Sequence, residues 1–90
     1  SAGTFNAILT DSPAFDHAAT VILCSGKLFY DLDHRRQALE NRKTAIVRIE
    51  QLHPFPHKEI RRLAQRYRRA ENWLWVQEEP ENMGAWRFVQ

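Results

Sequence analysis

The sequence predicts a small α/β domain in three layers, with a mainly parallel sheet of three or more strands packed against helices. Three short apolar segments rich in β-branched or aromatic residues, at 20–24, 44–50 and 72–77, are typical of buried strands. Segments with helical apolar spacing separate them, one at 27–40 and one beginning near Pro56. This alternation indicates parallel strands joined by right-handed crossovers.

Length and composition restrict the class of protein further. The chain has 90 residues, of which 43% are hydrophobic and 27% charged, so it suits one ordinary globular domain and not a disordered tail. No apolar run approaches the ~20 residues that cross a bilayer, and no signal peptide opens the chain. A single cysteine, Cys24, excludes an internal disulfide framework and suits a reducing compartment.

We expect two parts in the chain. Residues 1–19 are mixed, rich in turn formers and without a sustained period, and they are interpreted as a segment that leads into the domain. Residues 20–90 then form the α/β domain. Four apolar side chains of the leading segment are candidates to dock on the core: Phe5, Ile8, Leu9 and Phe15.

The first strand and helix have clear boundaries. Ser25-Gly26 closes the strand at 20–24, and the helix at 27–40 places Leu28, Leu32 and Leu39 within about 40° of one another at ~100° per residue. The polar residues 41–43 are expected to end this helix.

The second helix follows a turn with two prolines, at 51–56, which can neither continue a strand nor sit inside a helix. Its apolar stripe is predicted to comprise Ile60, Leu63, Ala64 and Tyr67. Three arginines are predicted to project from its opposite, solvated side: Arg62, Arg66 and Arg69.

Two helices give thin cover to three parallel strands. If the strand order runs in one direction, right-handed crossovers place both helices on the same face; if it reverses, each face receives one helix. Either arrangement leaves apolar surface, so we expect the isolated chain to self-associate. Four residues are expected nearest that surface: Trp73, Trp75, Met83 and Trp86.

Three blocks of sequence carry a resemblance to a known family. They are VILCSGKLFYDL at 21–32, AIVRIEQLHPFP at 45–56 and WVQEEPENMGAW at 75–86. In order and spacing they resemble the C-terminal domain of 2-oxoglutarate dehydrogenase, and the resemblance spans roughly residues 4–90. The related enzymes that act on 2-oxoadipate share much of this pattern, so they remain an alternative.

The resemblance implies a transketolase-type C-terminal domain within a much larger enzyme of the tricarboxylic acid cycle. That oxidoreductase uses thiamine diphosphate and Mg²⁺ to decarboxylate 2-oxoglutarate, and passes the succinyl group to lipoamide. The implied partners are the preceding domains of the same chain, a second subunit of a homodimer, and the dihydrolipoyl succinyltransferase component. The implied compartment is the bacterial cytoplasm or the mitochondrial matrix.

No catalytic residue and no cofactor site are expected in this chain. The resemblance assigns the diphosphate and Mg²⁺ contacts to preceding domains, and their motifs are absent from these residues. The isolated chain is therefore predicted to be inactive. Four histidines (at 17, 34, 53 and 57) lack metal-ligand spacing, so no metal site is expected, and Cys24 is predicted to be a small core residue.

The candidate anion site is the turn Ser25-Gly26-Lys27, because a helix start offers free N–H groups and Lys27 adds a charge. The resemblance suggests an acyl-coenzyme A regulator as the anion. The alternative is a tight structural turn, with Gly26 at positive φ and Ser25 capping the helix. Arg48, in an apolar strand, either joins this anion site or pairs with Glu50 or Glu78.

The candidate subunit interface follows the third strand. It comprises Glu78, Glu79, Asn82, Met83 and Trp86, whose apolar members are suited to packing against a partner. Packing within the domain is the alternative.

A nucleic-acid-binding module is the alternative of another class. Residues 57–69 carry six cations against Glu59 alone, whereas the whole chain has a net charge of only +2. Such a module needs exposed aromatic residues beside the basic face, whereas Trp73 and Trp75 are expected to be covered by the core. We therefore do not expect nucleic acid as a partner, and no membrane partner is expected either.

Overall fold

A five-stranded mixed sheet forms the centre of the structure, a computed structural model that describes residues 8–50, 55–77 and, as backbone, 85–88. Its strands are β1 (Ile8–Leu9), β2 (Thr20–Cys24), β3 (Thr44–Ile49), β4 (Asn72–Val76) and β5 (Ala85–Phe88). The helices are α1 (Gly26–Ala38) and α2 (His57–Arg66), and a single 3₁₀ turn spans Pro13–Phe15. The three predicted strands and two predicted helices are thus confirmed, with ends that differ by one or two residues.

The strand order is β1-β3-β2-β4-β5. The central strands β3, β2 and β4 are parallel, whereas β1 pairs antiparallel with β3 and β5 antiparallel with β4. Because β3 and β4 lie on opposite sides of β2, the order reverses, and right-handed crossovers place α1 and α2 on opposite faces. Of the two arrangements that the sequence left open, the structure has the one with a helix on each face.

The face under α2 holds the larger core. Tyr67 and Leu63 pack here against the side chains at alternate positions of β2, β3 and β4, and Ile8, Phe15 and Ile60 pack around them. The buried strand residues are Val21, Leu23, Ala45, Val47, Ile49 and Trp73. Trp73 is only 5% exposed, so its expected place near uncovered surface is wrong: its indole lies edge-on to Tyr67 in the core.

The face under α1 holds a smaller core. Leu28 packs there against Cys24 and Ile46, with Ile22, Phe29, Leu32 and Val76 around them. The β4 residues of this face, Leu74 and Val76, are only half-buried. Cover is therefore thinner on this side of β4.

Helix α1 ends earlier than its apolar spacing predicts. Glu40 has a φ of 53°, and the N–H groups of Glu40 and Asn41 donate to the carbonyls of Gln37 and Arg36, which is the hydrogen-bond pattern of a Schellman motif. Leu39 is consequently the C-cap and is 69% exposed. Its predicted place in the apolar stripe is wrong, because the helix ends before that stripe is complete.

Candidate functional site

The turn between β2 and α1 lies at the carboxyl end of the parallel strands, where open α/β sheets bind ligands. Ser25 is the N-cap with an extended backbone, and its side chain makes no capping hydrogen bond. No glycine in the described residues has positive φ, so the positive φ expected at Gly26 is absent. Lys27 is exposed in the first turn of the helix. Ser25 therefore stands at the expected N-cap position, but its side-chain capping hydrogen bond and the positive φ of Gly26 were wrongly predicted.

The carboxylate of Glu50 closely approaches Gly26. Both carboxylate oxygens of Glu50 lie 3.1 Å from the position that a Cβ atom on residue 26 would occupy. A helix N-terminus carries partial positive charge, so a carboxylate is favourable at this place. The chain thus supplies its own anion next to the turn that the sequence marked as an anion site.

Arg48 lies beside the same turn, but it does not pair with Glu50. Its guanidinium carbon is 4.4 Å from the ring centroid of Phe29, in cation–π contact. Within the described part of the chain no carboxylate lies at ion-pair distance from Arg48. The expected pairing with Glu50 is wrong, because the aromatic ring holds the guanidinium and Gly26 leaves room for the carboxylate.

Cys24 is next to Arg48 in the sheet register and is fully buried. Burial raises the pKa of its thiol to about 11, although nearby Arg48 opposes this rise and Glu50 adds to it. At neutral pH the thiol therefore stays protonated, as a small core group without nucleophilic character.

The structure brings together Ser25, Gly26, Lys27 and Arg48, and adds Glu50 and Phe29, which sequence reasoning did not assign to the site. Four of the five interface candidates, Glu78, Glu79, Asn82 and Met83, lie outside the described residues. The fifth, Trp86, is in β5, and the backbone register places it opposite Trp75 of β4. Trp75 is half-buried and packs against the larger core.

Sequence reasoning missed a cluster of ionic contacts around Asp11. One carboxylate oxygen of Asp11 accepts hydrogen bonds from Arg36 and from the N–H of Ile46, the latter at 2.8 Å. The side chains of Arg36 and Asp11 are only 9% and 7% exposed. Arg36 also donates to the carbonyl oxygen of Thr44 at 2.9 Å and lies 3.8 Å from the ring centroid of Phe15. The leading segment is thereby fixed to α1 and β3.

Arg66 extends this cluster to α2. Its guanidinium donates to Asp16 at 2.8 Å, to the hydroxyl of Thr10 at 2.7 Å and to the carbonyl of Asp11 at 2.8 Å. The hydrogen bond to Asp16 raises the pKa of Arg66. The predicted position of Arg66 on the free, solvated side of α2 is therefore wrong.

Tyr67 completes the cluster from inside the core. Its hydroxyl oxygen accepts a hydrogen bond of 3.2 Å from the N–H of Asp11. Burial raises the pKa of Tyr67, against the opposing effect of this hydrogen bond. The cluster has a structural role, since its donors and acceptors are occupied by one another.

The residues that the structure describes contain neither a candidate metal cluster nor a helix that could span a membrane. Among residues 8–50 and 55–77, no three His, Cys, Asp or Glu side chains form a group that could hold a metal ion. No helix in these ranges is long and apolar enough to span a membrane.

Comparison with known proteins identifies the family. The family model described as 2-oxoglutarate dehydrogenase C-terminal matches residues 1–90. The chain is 46% identical over 89 residues to the 2-oxoadipate dehydrogenase complex component E1 of Xenopus laevis, covering 96% of this chain and 10% of that protein.

Two bacterial relatives are both named 2-oxoglutarate dehydrogenase E1 component. The chain is 42% identical over 90 residues to the 2-oxoglutarate dehydrogenase E1 component of Cupriavidus necator, covering 98% of this chain and 10% of that protein. It is 51% identical over 69 residues to the protein of that name from Rickettsia felis, covering 77% of this chain and 7% of that protein. The chain thus spans about a tenth of the length of the relatives it matches. It belongs to the family of 2-oxoglutarate dehydrogenase C-terminal domains.

Proposed function

We propose that this chain is the C-terminal domain of a thiamine-diphosphate-dependent enzyme that decarboxylates 2-oxoglutarate and passes the succinyl group to lipoamide. The match of the family model to residues 1–90 carries this proposal. Among the described residues, no three His, Cys, Asp or Glu side chains form a group that could hold Mg²⁺. Thiamine diphosphate and Mg²⁺ would be held by other domains of the enzyme. A reducing compartment, the bacterial cytoplasm or the mitochondrial matrix, agrees with a single buried thiol.

Turnover of the intact protein tests the proposal. We expect thiamine-diphosphate-dependent decarboxylation of 2-oxoglutarate, followed with an artificial electron acceptor, and no turnover by the 90-residue chain alone. Turnover by the isolated chain would place the active site here and overturn the proposal.

A 2-oxoadipate dehydrogenase is the second candidate, because the Xenopus relative bears that name at 46% identity. The ratio of kcat/KM for the two substrates separates these candidates. The longer substrate differs by one methylene, and such a difference in a pocket changes kcat/KM by roughly 10–200-fold. A ratio favouring 2-oxoadipate would assign the second function.

We further propose that the domain helps to build a homodimer, which the succinyltransferase component then joins in the complex. The half-buried Leu74 and Val76 on the α1 face support this role, because apolar side chains at a sheet face gain free energy from a partner's cover. The interface candidates Glu78, Glu79, Asn82, Met83 and Trp86 follow β4 in the chain.

The dimer is tested by sedimentation of the intact protein over a range of concentrations. We expect Trp86→Ala to raise the dimer dissociation constant at least ten-fold, since buried tryptophans dominate many interfaces. Tyr30→Ala is the matched control, because Tyr30 is an aromatic residue 69% exposed on α1. Equal effects of the two substitutions would contradict the role of Trp86.

The turn Ser25-Gly26-Lys27 with Arg48 is proposed to bind a regulatory anion, with the phosphates of an acyl-coenzyme A as the first candidate. Support comes from the helix N-terminus, from the exposed Lys27 and from the absence of a carboxylate paired with Arg48 in the described residues. Glu50 opposes the anion, because its carboxylate lies at the same turn.

Calorimetric titration of the intact protein with acetyl-coenzyme A tests this site. We expect Arg48→Met to weaken binding and Glu50→Gln to strengthen it, while Arg35→Met, at an exposed arginine of α1, changes nothing. Binding that is unaffected by both Arg48→Met and Glu50→Gln would place the regulator elsewhere.

A further inference from the structure

One surface of α2 carries a concentrated positive charge that the proposed function does not use. We call it the basic stripe, and it consists of Lys58, Arg61, Arg62, Arg68 and Arg69, all of them exposed. At ~100° per residue, Lys58, Arg61 and Arg62 lie on one side of the helix, and Arg68 and Arg69 continue the charge through the turn that follows. Glu59 is the only acidic residue between 57 and 69.

The cations of the basic stripe lack partners in the described residues. The ion pairs there join Arg36 to Asp11 and Asp33, and Arg66 to Asp16. The arginines that fix the leading segment therefore use nearby carboxylates, whereas no ion pair reaches the stripe. Its charge faces solvent without compensation from the described part of the chain.

At its N-terminal end the basic stripe does not stabilise the helix that carries it. Lys58 and Arg62 are four residues apart, a spacing at which like charges repel on a helix surface. Lys58 also lies in the first turn, where the helix dipole disfavours a cation. The helix is held from its other side, by the buried Leu63 and Tyr67. Helix stability therefore does not account for Lys58 and Arg62, whereas binding of an anionic partner would.

We propose that the basic stripe docks an acidic, extended segment of a partner protein. Lys58 and Arg62 are separated along the helix by about 6 Å at ~1.5 Å per residue. Alternate side chains of an extended chain are about 6.6 Å apart, at ~3.3 Å per residue. Carboxylates two residues apart in such a segment therefore match the Lys58–Arg62 pair, and the other cations of the stripe add to the charge complementarity that steers association.

Two other anionic partners fit the surface less well. An anionic membrane would take an amphipathic helix with a free apolar side, but the apolar side of α2 is buried in the core. Single-stranded nucleic acid would need exposed aromatic rings for stacking. Trp73 and Tyr67 are only 5% and 1% exposed. Phe55, beside the stripe, is 50% exposed, but its ring packs edge-on against His57, so the described residues offer one ring there and not a row of rings for successive bases.

The test uses the intact protein and a fluorescein-labelled peptide of alternating Glu and Ser, with a Gln–Ser peptide as the neutral probe. Binding is followed by fluorescence anisotropy at low and high salt. The variant Arg61→Glu/Arg62→Glu reverses two charges of the stripe. The matched control Arg35→Glu/Arg42→Glu makes the same change in net charge at two exposed arginines outside it. Vesicles containing anionic lipid and a single-stranded DNA oligonucleotide serve as competing probes.

We expect the Glu–Ser peptide to bind with an affinity that falls as salt rises, and the Gln–Ser peptide not to bind. The stripe variant should weaken this binding by about ten-fold, for the loss of two charge pairs and the repulsion that replaces them. The control variant should change it less than two-fold. Equal weakening by both variants, no binding of the acidic peptide, or tighter binding to DNA or vesicles would each overturn the proposal.

Discussion

Replacing Asp11 by alanine should destabilise the fold more than any other single change to a charged residue of the leading segment. The substitution leaves Arg36, whose side chain is 9% exposed, without its buried carboxylate, and leaves the N–H of Ile46 without its acceptor. Breaking a buried ion pair from one side costs about 3–5 kcal/mol, and an orphaned buried N–H about 1–3 kcal/mol. Because Arg36 keeps Asp33 and the Thr44 carbonyl as partners, we expect a loss of about 4 kcal/mol, not the sum.

The assay is urea unfolding followed by tryptophan fluorescence at a fixed protein concentration. Asp33→Ala is the matched control, because Asp33 pairs with the same arginine but is 26% exposed. Its loss should cost about 0.5 kcal/mol, as for other partly exposed helical pairs. If Asp11→Ala costs no more than Asp33→Ala, the ionic cluster does not hold the leading segment, and the reasoning from burial is wrong.

Three further outcomes follow from the described residues. The free energy of unfolding should fall by about 2–3 kcal/mol between pH 9 and 11. In the folded state the Cys24 thiol has a pKa of about 11, whereas in the unfolded chain it loses its proton at lower pH. That stability is present below pH 9, and unfolding titrations of Cys24→Ala should show the loss of this pH dependence; an unchanged slope would contradict it. Glu40→Gly should raise the melting temperature, with a gain of about 1 kcal/mol, because glycine adopts the φ of 53° without strain, and no gain would contradict the assigned backbone. Leu28→Ala should cost about 2–4 kcal/mol in denaturant unfolding and Leu39→Ala less than about 0.5 kcal/mol, a contrast that would vanish if both belonged to one buried stripe.

The strands β2 and β3 could be predicted from the sequence because they are largely buried on both faces. Continuous apolar runs such as 20–24 and 44–49 are short, β-branched and bounded by turn formers, so local pattern suffices. The end of α1 could not be predicted in this way. Helical spacing assumes that the helix continues, and neither glycine nor proline marks the Schellman ending at Glu40.

The contacts of the candidate site depend on residues distant in the chain. Sequence reasoning offered Glu50 as a partner of Arg48, but it could not show that the guanidinium contacts Phe29 while the Glu50 carboxylate lies beside Gly26. Asp11 has partners 25 and 35 residues away, and no local periodicity encodes such pairs. At Gly26 the expected positive φ is absent, and the structural feature of this position is instead the neighbouring Glu50 carboxylate, which lies far along the chain.

The two proposed binding surfaces differ in how their cations are balanced, and this difference makes them separable by experiment. At the turn before α1, the Glu50 carboxylate already lies against Gly26, so an incoming anion must displace it and removal of Glu50 should strengthen binding. On α2 no described carboxylate forms an ion pair with the stripe cations, so affinity for an acidic segment should depend on those cations and on salt, and not on Glu50. Glu50→Gln should therefore change acetyl-coenzyme A binding while leaving binding of the acidic peptide unchanged. A change in both would show that the two surfaces report only the overall charge of the domain, and not two distinct sites.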